Sequence, residues 1–73
     1  MRIEYTRHAK RRMKWRKISE SDIETALADP DNIETGEGNR SNAYKYINKR
    51  LIKVTFCQDE DSIKIITALW KGE

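Results

Sequence analysis

The chain contains one proline, Pro30, and the hydrophobic period changes across it. Before it, apolar residues recur at helical spacing: Tyr5, Ala9 and Met13 lie four apart, and Ile23, Ala26 and Leu27 form a second stripe. After it, apolar residues alternate in short blocks bounded by Gly, Asn and Asp, the pattern of strands and turns. Proline has no N–H to donate and disfavours helical backbone at Asp29, so the second helix must end there. Two helices followed by strands on short connections predict a two-layer α+β domain. Its two N-terminal helices pack on one face of an antiparallel sheet of three to four strands.

Local signals sharpen the boundaries. Thr6 is the expected N-cap of a first helix running to about Lys17, its hydroxyl accepting from an orphan N–H of the first turn. Ser19 caps the second helix, with Asp22 as the return half of a capping box and Ile18 and Ile23 as a hydrophobic staple. Strands are predicted over 32–37, 43–47, 51–57 and 63–70. In the third of these, Ile52, Val54 and Phe56 share one face, the expected core face. In the last, Ile63, Ile65, Thr67 and Leu69 oppose Ile66, Ala68 and Trp70. Both sets are largely apolar, so the pattern does not select an inner face.

Seventy-three residues hold a single domain, residues 1–73, and a domain this small buries too little surface for a wide stability margin. Charged residues make up 37% of it, yet the apolar ones are periodic, so the chain is expected to fold. No apolar run approaches the roughly 20 residues that span a bilayer, and no leader pattern opens the chain. Cys57 is the only cysteine, which rules out an intrachain disulfide and fits a reducing cytoplasm. One His and one Cys far apart offer no ligand pair at zinc spacing, so neither a metal nor a cofactor is expected. Gly36, Gly38 and Asn39 match no phosphate-binding loop and read as a hairpin turn. Cys57 itself, within a strand, reads as a small hydrophobe.

Charge is segregated along the chain. Residues 1–17 sum to +7, residues 18–39 to −7, residues 40–57 to +5 and residues 58–73 to −2, which together give the net +3. On a helical projection Arg7, Lys10, Arg11 and Lys14 fall opposite the apolar face. Four cations without interleaved acids exceed what solubility requires and point to an anionic partner. RNA, or the ribosome, is the partner this surface fits best.

One row within the helix has the chemistry of a phosphodiester site. His8, Arg12 and Arg16 are spaced at i, i+4 and i+8 and line one side, with Trp15 at its edge. Guanidinium groups offer planar paired donors to phosphate oxygens and stay charged at any working pH. The imidazole of His8 is the one group of the row that can take up a proton, which makes it the candidate general base. The bland alternatives are a surface histidine, and an Arg16 that pairs with Glu20 or Glu24 to tie the helices together. Lys45 and Lys53 are candidate backbone contacts. Tyr44 and Tyr46 either stack bases beside Lys45 or belong to the core.

Residues 8–31, HAKRRMKWRKISESDIETALADPD, with YKYINKRLIKVTF and IITALW further on, resemble a small bacterial and archaeal family. Its marks are a His-Ala pair, Arg-Met, Arg, Ile-Ser and a Pro closing the second helix. Such proteins are grouped with the RelE-like and BrnT-like toxins, in the superfamily of metal-independent ribonucleases that includes barnase. The resemblance implies a RelE-like fold and an mRNA endoribonuclease of a toxin–antitoxin type. It makes His8, Arg12 and Arg16 signature residues, adds Thr67 from the sheet as a contributor, and implies a small antitoxin as protein partner. The rivals are a nucleic-acid-binding module that does not cleave, and an interaction domain that docks the basic helix on an acidic protein surface. Oligomeric state is not legible.

Overall fold

The computed structural model describes residues 2–72. In chain order these form β1 (Arg2–Tyr5), α1 (Arg7–Arg16), α2 (Glu20–Ala28), β2 (Asn32–Thr35), β3 (Arg40–Ile47), β4 (Arg50–Gln58) and β5 (Ser62–Lys71). The strands make one sheet in the order β1-β5-β4-β3-β2. The α+β class and the two helices on one sheet agree with the expectation. The sheet itself differs: it has five strands and is mixed, because β1 pairs parallel to β5 while every other pair is antiparallel. Four residues with only Ile3 and Tyr5 to alternate are too short a pattern to announce a strand. It exists because Ser62–Ile65 presents an edge for it to pair with.

The caps explain the helices. Thr6 accepts from the Ala9 N–H at 2.9 Å, and Ser19 with Asp22 closes a full capping box. Lys17 adopts the left-handed region at φ 57° and ends α1, after which the Ile18 N–H reaches the Met13 carbonyl. Ala9 and Met13 of α1, Ile18 between the helices, and Ile23 and Ala26 of α2 are all buried. They pack on Ala43, Ile52, Val54, Phe56, Ile65, Ala68 and Trp70 of the sheet. Tyr5, expected on the inner face of α1, instead ends β1, where it still packs half-buried against this core.

A β-bulge resolves the ambiguity of the last strand. Phe56 opposes Ile65 and Thr55 opposes Thr67, which leaves Ile66 as an extra residue in β5. The alternation therefore changes phase at Ile66. Ile65 points to the core before it and Ala68 and Trp70 point there after it, with all three buried. The bulge is also where α1 is attached. The Thr6 N–H bonds to the Ile65 carbonyl at 3.3 Å and the Thr6 hydroxyl donates to the Ile66 carbonyl at 3.4 Å. Beyond its pairing with β1, the second half of β5 has an open edge, and α1 runs alongside it.

On β3, Ala43 and Lys45 face the helices opposite Val54 and Ile52, while Asn42, Tyr44 and Tyr46 face the uncovered side opposite Thr55, Lys53 and Leu51. Asn48 and Lys49 both take positive φ, 51° and 69°, as a two-residue hairpin of the matching twist requires.

Candidate nucleic-acid interface

Ala9 and Met13 anchor α1, so the helix must turn Arg7, Lys10, Arg11 and Lys14 to solvent, and all four are exposed. None of them forms an ion pair with a carboxylate among the described residues. The first turn holds no acidic residue and starts with Arg7, which places a cation at the positive end of the helix dipole. That placement costs up to roughly 1 kcal/mol where an acid would stabilise. A small domain keeping such an arrangement concentrates positive potential at the expense of its own stability.

The row on α1 divides into two parts. His8 is exposed and makes no hydrogen bond or ion pair among the described residues. Arg12 is half-buried, with its guanidinium carbon 5.2 Å from the centroid of the Trp15 ring, within range of a cation–π contact. Arg16 has a different task. Its Nη1 donates to the Ala68 carbonyl at 2.8 Å, and its own carbonyl accepts from Trp70 Nε1 at 2.9 Å. This pair of bonds ties the end of α1 to the open edge of β5. Neither Glu20 nor Glu24 is its partner, so the interhelical ion pair considered from the sequence is replaced by a bond to the sheet.

Trp15 is 72% exposed, the most exposed of the large hydrophobic residues among those described. With Arg11 and Lys14 it lines a shallow depression of about 490 Å³. An indole face flanked by three cations can stack a planar group while the cations hold its phosphates. Helical spacing places these residues on one face, and the exposure of Trp15 is the addition the structure makes.

The sheet residues named from the sequence do not join this surface as a set. Lys45 lies on the helix-covered side, its side chain only 18% exposed, with Nζ 3.3 Å from Asp29 and 3.5 Å from Asp31. Partial burial opposes its charge, but the two carboxylates outweigh that and raise its pKa. Lys45 therefore locks the α2–β2 connection, which corrects its assignment to RNA contact beside Tyr44 and Tyr46. Asp31 is held below the usual carboxylate range, first by the Tyr46 backbone N–H at 2.8 Å and then by Lys45. Lys53 and Thr67 lie on the uncovered face of the sheet, Lys53 between Tyr44 and Leu69 and Thr67 opposite Thr55. The helix layer is on the other side, so Thr67 belongs to a different surface from the α1 row. Tyr44 donates to Glu34 at 2.9 Å, which raises its pKa, and Tyr46 is 63% exposed. Sequence alternation alone separates Tyr44 and Tyr46 from Lys45, and it is the signal that places them correctly.

No cluster of three metal-ligating side chains occurs among the described residues, and no helix is long and apolar enough to cross a membrane. Residues 5–70 match a family described as "Domain of unknown function (DUF4258)". No curated protein and no solved structure matches the chain.

Proposed function

Taking as premise that the chain belongs to the DUF4258 family, we propose that it acts on RNA, with α1 as the phosphate-binding surface. The observation that carries this reading is the exposed Trp15 ring set among Arg11, Arg12 and Lys14, none of them paired with a carboxylate among the described residues. Phosphate contacts by such cations release counterions, so affinity falls steeply with salt, and the stacked indole adds a contact that tolerates any base.

The chemistry available there is metal-independent cleavage of the RelE-like type. The 2′-OH of a nucleotide attacks the adjacent phosphorus, the P–O5′ bond breaks, and a 2′,3′-cyclic phosphate and a 5′-OH form. His8 takes the 2′-OH proton, the leaving O5′ takes a proton from water, and Arg12 stabilises the extra charge of the pentavalent phosphate. Both are accessible and one helical turn apart. Arg16 orients the row by fixing α1 to β5 rather than by touching the phosphate. A small antitoxin covering α1 is the matching protein partner, and the cytoplasm the matching compartment.

A second reading, binding without cleavage, draws on the Arg16 bond to Ala68, which withdraws one of the two guanidiniums. It also draws on the lack, among the described residues, of a carboxylate to orient His8. One experiment separates the readings. Purified protein is incubated with a labelled RNA in EDTA, beside His8→Ala and Trp15→Ala. Cleavage lost in His8→Ala supports the nuclease, and intact RNA bound in a Trp15-dependent way supports the binding module. RNA that is neither bound nor cut removes both.

A further inference from the structure

The edge of the sheet farthest from α1 has the opposite character. β2 is the terminal strand, and all four of its residues are exposed. The Gly36 N–H bonds to the Arg40 carbonyl, and antiparallel bonds recur at every second residue. Asn32 and Glu34 therefore turn their backbone groups toward β3, while Ile33 and Thr35 turn theirs outward with no strand among the described residues to receive them. Ile33 is 49% exposed. The β5 edge, by contrast, is occupied by Thr6 and Arg16.

Acids surround this open edge. Residues 18–39 carry no basic residue, and Asp31, Glu34 and Glu37 lie in or beside the strand. Glu34 Oε1 accepts from Asn42 and Tyr44, which leaves Oε2 without a partner among the described residues. On the uncovered side, a depression of about 330 Å³ is lined by Asp31, Asn32, Glu34, Tyr44, Tyr46 and Leu51. Its aromatic rings and carboxylates suit the head and stem of a Lys or Arg side chain. On the helix side the neighbour is the exposed Ile33.

We infer that β2 is a docking edge for an extended segment of a partner protein that alternates cationic and apolar side chains. Such a segment adds a sixth strand. Its backbone satisfies the outward groups of Ile33 and Thr35, its cations reach Glu34 and the tyrosine-lined depression, and its apolar residues cover Ile33. A second copy of this chain pairing β2 with β2 would bring the acids of both copies together, so charge selects a basic partner over self-association. Three strand spacings of roughly 4.8 Å, about 14 Å in all, separate β2 from β5. The site is thus independent of the α1 surface and does not rest on the RNA reading.

The test uses the full isotope-labelled chain and a capped hexapeptide of alternating Val and Lys, with its Val and Glu twin as control. Saturable amide shifts at Ile33 and Thr35 are expected with the Lys peptide alone. Glu34→Gln should weaken binding by roughly two- to fivefold, the range for loss of one exposed charge pair, and added salt should weaken it further. Ile33→Pro removes an N–H that no intramolecular bond uses and should abolish binding, with a thermal melt confirming the fold. If that variant does not fold, the Glu34→Gln and salt arms still decide. The inference is overturned by shifts that are absent or confined to α1, by equal binding of the Glu twin, by indifference to both charge and salt, or by sedimentation that reveals a β2-dependent dimer instead.

Discussion

Replacing Arg16 with alanine separates structure from chemistry on α1. The side chain is half-buried and donates a charged hydrogen bond to the Ala68 carbonyl at the open edge of β5. Such bonds contribute roughly 1.5–3 kcal/mol, and partial exposure of the guanidinium argues for the lower end, about 1.5 kcal/mol. Unfolding entropy of roughly 2.1 cal/mol/K per residue gives this chain about 0.15 kcal/mol/K, so the melting temperature should drop by about 10 °C. The Trp70 Nε1 bond to the Arg16 carbonyl survives, because the substitution leaves the backbone in place. Arg16→Lys, which can still donate, should lose less. Arg12→Ala, whose contact is with an exposed ring, should lose no more than about 3 °C. Far-UV circular dichroism melts of the three variants beside the parent read all of this. An Arg16→Ala melt within about 2 °C of the parent would falsify the anchoring role and return Arg16 to the set of groups free to meet a phosphate.

Trp15→Ala should weaken RNA binding by roughly fivefold or more, from the value of about 1–3 kcal/mol for a stacked base, and leave the melt unchanged; equal binding in a filter assay would exclude stacking. Arg11→Gln with Lys14→Gln should lower the slope of log affinity against log salt by about two, one per phosphate contact, and an unchanged slope would place the RNA elsewhere. Asp31 has a lowered pKa in the fold, so its stabilisation is complete above the ordinary value of 3.8 and fades as pH falls through the lower folded value. Asp31→Asn should therefore be less stable at neutral pH and show a flatter acid limb in pH-dependent urea melts; parallel curves for the two proteins would argue against it. Deleting Ile66 removes the bulge while plain alternation from Ile65 still carries Ala68 and Trp70 inward, so the melt should stay cooperative and stability fall by roughly 1 kcal/mol for the lost Thr6 hydroxyl bond to the Ile66 carbonyl; an abolished transition would mean that the bulge itself is indispensable.

The elements governed by local physics were readable. Both N-caps, the capping box at Ser19 and Asp22, the stop at Pro30 and the inner face Ile52, Val54 and Phe56 each depend on residues within a few positions of one another. The basic face of α1 was readable for the same reason, since helical spacing alone assigns Arg7, Lys10, Arg11 and Lys14 to one side. Alternation also separates Lys45 from Tyr44 and Tyr46, a signal that the grouping of all three as one RNA contact passed over. Its engagement by Asp29 and Asp31, sixteen and fourteen positions earlier, was not visible until the chain had folded back.

Sequence by itself determined where the helices start and stop, that strands follow them, and that one helix carries concentrated positive charge, because each of these is decided by neighbours along the chain. Tertiary structure alone decided that Arg2–Tyr5 becomes a parallel strand, that β5 changes face at Ile66, that Arg16 is spent on a backbone carbonyl 52 residues away, and that β2 is left with an open edge. These depend on which strand edge meets which partner, and an edge exists only once the sheet has been assembled.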